Sequence, residues 1–121
     1  MTTANSYLFI SRSTPYGSQQ ARAALDLAFT AAAFEQAVSF VFMDAGVLQL
    51  LNGQDTETSQ LKNIGKMIPA LKLYDVKNVY IHQSSLVRTG LKQAQLPNQF
   101  ELLDDIKLGD LVADADQVMV F

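Results

Sequence analysis

Residues 37–54 read AVSFVFMDAGVLQLLNGQ, and their pattern decides the fold. The first half is an unbroken apolar run of β-branched and aromatic residues, the signature of a strand buried on both faces. A parallel sheet covered by helices produces such strands, because neither face meets water. Asp44 closes the run, Gly46 relaxes the turn, and Val47-Leu48-Gln49-Leu50-Leu51 continues as one or two turns of helix. Asp44 is placed to cap the free amides at that helix start, and Asn52-Gly53 suits its C-terminal stop. A segment this short cannot hide four large aliphatics beneath itself. Some of Val47, Leu48, Leu50 and Leu51 must meet another part of the fold or another chain. A connection that only fills the core is the alternative.

Working outward, Tyr7-Leu8-Phe9-Ile10 is a first strand that runs into a polar loop, Ser11 to Ser18, punctuated by Pro15 and Gly17. Ser18 suits the N-cap of an alanine-rich helix from Gln19 to about Gln36, with Leu25, Phe29 and Ala32 at helical spacing. Beyond the polar linker Asp55 to Ser59, Leu61, Ile64, Ile68 and Leu71 mark the stripe of a second helix, which Pro69 kinks or restarts. Asn78-Val79-Tyr80-Ile81 is a third strand ending at His82-Gln83-Ser84, and Ser84 or Ser85 caps a short helix that Gly90 terminates. Phe100 to Leu103 is a weak fourth strand. Asp104 and Asp105 put negative charge at the next helix start, where the helix dipole favours it. Leu108, Leu111 and Val112 are that helix's inner stripe, and Val118 to Phe121 is a final apolar strand. Strand and helix alternate five times, which predicts an α/β fold: a three-layer α/β/α sandwich with a mostly parallel five-stranded sheet and right-handed crossovers.

Composition narrows the class. At 121 residues the chain predicts a single domain spanning 1–121. Hydrophobic residues make up 49 % and charged residues only 17 %, high for a small monomer and suggestive of buried subunit contacts. There is no cysteine, which excludes disulfides, thiolate metal sites and any persulfide carrier on this chain. A net charge of -3 disfavours non-specific binding to nucleic acid or to an anionic membrane. Residues 1–6 show no basic region followed by an apolar stretch, and no apolar run reaches the roughly 18 residues a bilayer span needs. A cytoplasmic protein without a membrane partner is expected.

Ligands of such sheets gather at the carboxyl ends of the strands, here the Ser11 loop, the turn at Asp44, and His82-Gln83. A Ser/Thr/Gly loop after a first strand can cradle phosphate, and Ser11, Ser13 and Thr14 would supply hydroxyls to a flavin or nucleotide. Against that, Pro15 removes an amide and Tyr16 places a ring where a phosphate nest needs open backbone. No cofactor is expected. His82, the only histidine, stands at a strand's carboxyl end, a plausible address for proton transfer. No carboxylate lies near it in sequence to orient it, and one histidine makes no metal site, so a structural or interface role is favoured. The aspartates lack the paired acids after the first strand that a magnesium-dependent receiver domain needs. No Walker loop, serine-triad signature or zinc spacing is present.

The segment from Asp44 to Gln54 resembles the fingerprint of the DsrF/TusC family of sulfur-relay subunits. Residues 13–17 (STPYG), 73–76 (LYDV), 85–91 (SLVRTGL) and the apolar end at Phe121 fit the same family. The resemblance implies a DsrE-like fold of Rossmann/flavodoxin-like type. It further implies a heteromeric complex with DsrE/TusD-like and DsrH/TusB-like subunits, usually a heterohexamer built as a dimer of heterotrimers. Such complexes pass persulfide sulfur between cysteines, toward tRNA 2-thiouridine or in sulfur oxidation. The family's active cysteine, on the DsrE/TusD subunit, lies near the end of the strand matching Val79 to Ile81, where this chain has His82 and Gln83. The expected role is therefore a non-catalytic subunit, with Val47, Leu48, Leu50, Leu51, His82 and Gln83 as candidate partner-facing residues. Isolated, the chain is expected to form homo-oligomers. A small flavin- or nucleotide-binding module using the Ser11–Ser18 loop is the rival reading, and an independent enzyme using His82 a third.

Overall fold

The computed structural model describes residues 5–13, 19–50, 68–74, 76, 78–91 and 100–121. They form one five-stranded sheet in the order β4-β3-β2-β1-β5, with β1 Ser6–Ser11, β2 Ala37–Phe42, β3 Asn78–His82, β4 Glu101–Leu103 and β5 Gln117–Val120. All four pairings are parallel. The weak fourth strand is real, though only three residues long.

Helix α1 (Gln20–Ala33), a second helix α2 whose described residues are 68–73, and α3 (Gln83–Thr89) connect the strands that step from β1 to β4. Helix α4 (Asp105–Asp114) leads back across the sheet to β5. Right-handed crossovers that reverse direction must switch face. One apolar cluster accordingly joins α1, α2 and α3 to Phe9, Phe40, Phe42, Val79 and Ile81. A second, smaller cluster joins Leu8, Ile10, Val41 and Leu103 to Leu108 and Leu111 of α4. Phe40 and Phe42, whose ring centroids are 4.8 Å apart, fill the first layer. Each such side chain contributes roughly 1.5–3 kcal/mol by leaving water.

Local chemistry explains the helix ends. Ala21, Ala24, Leu25, Ala28 and Ala32 form the buried stripe of α1, small enough for the helix to lie close on β1 and β2. The helix stops where Glu35 adopts φ 62° and the Gln36 amide reaches back to the Ala31 carbonyl, a left-handed ending more usual for glycine. Its first-turn cap is Gln19, with no side-chain hydrogen bond, and Ser18 lies outside the described residues. The cap of α4 is as the sequence predicts: Asp104 accepts from the Lys107 amide at 2.8 Å. Val112, expected on the inner stripe, is exposed. It sits about 40° further round the helix than Leu108, past the edge of a stripe centred between Leu108 and Leu111.

The segment after β2 is tighter than expected. A 3-10 helix runs over Asp44–Leu50, beginning at Asp44 itself rather than after it. Asp44 takes φ 51°, a left-handed conformation that aspartate tolerates better than most residues. Gly46 lies so near β1 that a Cβ there would fall 2.0 Å from the Ser11 carbonyl oxygen. Glycine is required by proximity, not by an unusual dihedral angle. Val47 and Leu50 are consequently driven into the chain's own core beside Phe9 and Phe42.

Candidate functional site

The carboxyl ends of β1, β2, β3 and β4 converge on one polar network. Its centre is His82, the last residue of β3, only 3 % exposed. Its Nδ1 lies 2.6 Å from Ser85 Oγ and its Nε2 lies 2.5 Å from Asp105 Oδ1. The register explains the second contact, since His82 pairs with Leu103 and Asp105 stands two residues beyond, in the first turn of α4.

The hydrogens can be assigned from the donors available. Ser85 Oγ accepts the Asp44 amide at 2.8 Å and Arg88 Nη2 at 3.3 Å, which occupies both lone pairs. Its own hydrogen is therefore directed to His82 Nδ1, and His82 Nε2 faces the Asp105 carboxylate as donor. Ser84 Oγ adds weaker bonds to both Asp105 carboxylate oxygens, at 3.3 and 3.2 Å. The His82 hydrogen bond, reinforced by Ser84 and the charge of Arg88, holds the Asp105 carboxyl below the usual carboxylate value.

Asp44 does not cap its helix. Its carboxylate is gripped from two sides, by Arg12 Nε at 2.6 Å and Arg88 Nη2 at 3.2 Å. Parallel register accounts for the first, because Ser11 pairs with Phe42 and the next residues of both strands leave the sheet together. The groups are partly exposed, so each ion pair adds little by itself. Together with Ser85 they fix how β1, β2 and α3 meet.

Ser11 is buried and Ser13 is half-buried. Gln49 Nε2 donates to Ser11 Oγ at 2.8 Å and to the Ser13 carbonyl at 2.9 Å, while Ser13 Oγ donates to Gln20 Oε1 at 2.9 Å. These two hydroxyls join elements of the fold to one another. Thr14, Pro15, Tyr16, Gly17 and Ser18 lie outside the described residues.

Ser85, His82 and Asp105 form an unbroken hydrogen-bonded chain, yet Ser85 is fully enclosed and has no path to a substrate. The arrangement orients and connects; it does not present a nucleophile. Among the described residues, no group of three or more His, Cys, Asp or Glu is placed to hold a metal ion. What faces solvent is an open depression of about 440 Å³ lined by Ser84, Val87, Arg88 and Asp105. It carries a carboxylate, a guanidinium, a hydroxyl and an exposed valine side by side.

Of the six residues singled out from sequence, His82 lies at the heart of this network and Gln83 is exposed beside it. Leu48 is half-buried, whereas Val47 and Leu50 are enclosed and present nothing to a partner. Leu51 lies outside the described residues. Sequence reasoning missed Asp105 as the partner of His82, Ser85 as the joint between β2 and α3, and the two arginines on Asp44. The signal for Arg12 and Asp44 was present: Asp44 directly follows one apolar run and Arg12 stands one residue, Ser11, past another, at the ends of adjacent parallel strands. No helix among the described residues is long and apolar enough to cross a membrane.

Comparison with known proteins fits this architecture. The chain is 38 % identical over 114 residues to a protein named TusC homolog from Pseudomonas aeruginosa, covering 94 % of this chain and 96 % of that one. It is 32 % identical over 129 residues to the intracellular sulfur oxidation protein DsrF of Allochromatium vinosum, covering 95 % of each. The crystal structure of the YchN protein from E. coli shares the fold, with a TM-score of 0.84 and 23 % identity over 97 % of this chain and 99 % of that one. The model of the DsrE/DsrF-like family matches residues 5–121, and the chain belongs to that family.

Proposed function

We propose that this protein is a non-catalytic subunit of a heteromeric sulfur-relay complex, serving tRNA thiolation or sulfur oxidation. One observation carries the reading. At the carboxyl end of β3, the address where the DsrF/TusC resemblance puts a relay cysteine on a sister subunit, this chain has His82 with both ring nitrogens engaged. A persulfide needs a thiol, and the chain contains none. The relatives named TusC and DsrF support the same assignment. The partners would be DsrE/TusD-like and DsrH/TusB-like subunits in a heterohexamer, in the cytoplasm. They would dock on the depression beside Asp105 and Arg88.

The test is co-expression with a DsrE-like and a DsrH-like chain from the same source, followed by loading with a cysteine desulfurase and intact-mass measurement. The three chains should co-elute, and sulfur mass should appear on a partner and not on this chain. Failure of the three to associate would overturn the reading. In the reconstituted complex, His82→Gln should leave sulfur transfer within about threefold of wild type, since a positioned proton-transfer group contributes about 10²–10⁴-fold. A loss of a hundredfold or more with the complex intact would make the histidine part of the chemistry.

A further inference from the structure

Ser85 Oγ is the crowded point of the network, with every direction around it taken. One direction is its bond to Cβ, and a second carries its hydrogen to His82 Nδ1, 2.6 Å away. The other two accept the Asp44 amide at 2.8 Å and Arg88 Nη2 at 3.3 Å. These partners are not held equally. His82 is 3 % exposed and the Asp44 amide is fixed in the backbone, whereas the Arg88 side chain is 61 % exposed and makes the longest of the three contacts. Among the described residues, the charged groups around His82 are Asp105 at the start of α4, on Nε2, and Arg88 of α3, on Ser85. Asp44, after β2, holds Arg88 through its carboxylate, and Arg12, after β1, binds that same carboxylate. Asp104 is turned to the Lys107 amide, and Glu101 stands exposed at the start of β4.

We infer that His82 and Ser85 form a proton-driven release for Arg88. When a proton from solvent binds Nδ1, that nitrogen stops accepting and must donate, and its partner in the fold is Ser85 Oγ. Ser85 then meets three donors, the imidazolium N–H, the Asp44 amide and Arg88, with two lone pairs. One donor must leave. An unpaired N–H on a buried imidazolium or amide costs more than a guanidinium that water can solvate, so Arg88 is the one displaced. The hydroxyl hydrogen turns into the direction that Arg88 vacates. On the other side of the ring, Nε2 keeps its donation to Asp105, now as an ion pair. As the pH falls, the depression therefore changes in two ways. It gains one positive charge, and of the two contacts that tie Arg88 into the network only the one to Asp44 remains. Acidic groups would meet a more positive surface below the transition than above it. This inference needs no partner chain and stands apart from the relay reading.

Heteronuclear NMR of the isotope-labelled full chain, titrated from about pH 8 to about pH 5, tests it. At the upper end Nδ1 should show the shift of a bare ring nitrogen and Nε2 that of a protonated one. As the ring takes up its second hydrogen, the Arg88 side-chain signals should move with the same midpoint, while those of Arg12 move little. Arg88→Met removes the competing donor and should favour the protonated ring by about tenfold. Arg12→Met takes an equal charge from the same Asp44 carboxylate but no donor from Ser85, and should change that equilibrium by less than about threefold. A hydrogen on Nδ1 at the upper end, or a ring that keeps one protonation state down to acid unfolding, would overturn the inference. So would Arg88 signals that ignore the ring's titration, or equal shifts in the two arginine variants, since charge alone would then account for the change.

Discussion

Helices α1 and α4 cover opposite faces of one sheet and are held by different means. Helix α1 has five buried residues and no side-chain cap. Helix α4 has no buried residue, and its two ends are tied by polar contacts instead. At its start Asp104 caps the first turn and Asp105 meets His82. At its end Ser6 Oγ reaches the Asp114 carbonyl at 3.4 Å, and the Asp116 amide meets the Ser6 carbonyl at 2.9 Å. Burial is insensitive to direction, so it fixes that a helix lies on a sheet. Directed hydrogen bonds fix where along the sheet it lies. The candidate site stands where the second kind of attachment operates.

The largest expected effect breaks the packed side. Leu25→Ala removes a fully enclosed side chain beneath α1 and should cost about 2–5 kcal/mol, read as a lower urea midpoint. Ser85→Ala attacks the polar side from within, leaving the buried His82 Nδ1 and the Asp44 amide without their partner. About 1–3 kcal/mol should be lost there, although the residue is small and the cavity slight. Equal losses at Ser85 and at the half-buried Ser84 would mean the network contributes nothing to stability. Asp104→Ala should cost about 1 kcal/mol, the usual value of an N-cap, with hydrogen exchange in the first turn of α4 rising before exchange in α1.

The smallest effect is a pH dependence at Asp105. Its carboxyl is held below the usual value chiefly by the His82 hydrogen bond. The resulting stabilisation is complete above the ordinary aspartate value of about 3.9 and fades as the pH falls past it. Asp105→Asn should therefore narrow its stability gap from the wild type on acidification below about pH 4, measured by urea midpoints. A gap that stays constant would show that the carboxylate is not linked to folding. Because the group is largely exposed, the change should be modest and should shrink further in salt.

These contrasts also explain what could be read from the chain. The apolar runs at 7–10, 37–43, 78–81 and 118–121 identify four strands, because burial on a parallel sheet leaves a continuous hydrophobic trace, and the weaker signal at 100–103 marks the shortest. The Asp104 cap is equally plain, since capping is local. Val112 misled because a stripe of three at i, i+3 and i+4 fits either of two neighbouring helical phases, and only the packed sheet chooses between them. Ser85 looked like a cap and instead bonds across to Asp44, 41 residues away in sequence. The His82–Asp105 contact spans 23 residues and follows from the pairing of β3 with β4, which no local pattern encodes. Local rules recover the elements; contacts between loops of neighbouring strands require the register.

His82 is the only histidine in the chain. A lone imidazole at the centre of the network makes the site observable by a single set of proton resonances, with no need for selective labelling. Its Nε2 hydrogen, donated to a carboxylate at 2.5 Å, will be strongly deshielded and slow to exchange with water. A partner that contacts the Asp105 carboxylate should shift that resonance, which gives the proposed docking surface a built-in spectroscopic gauge of occupancy.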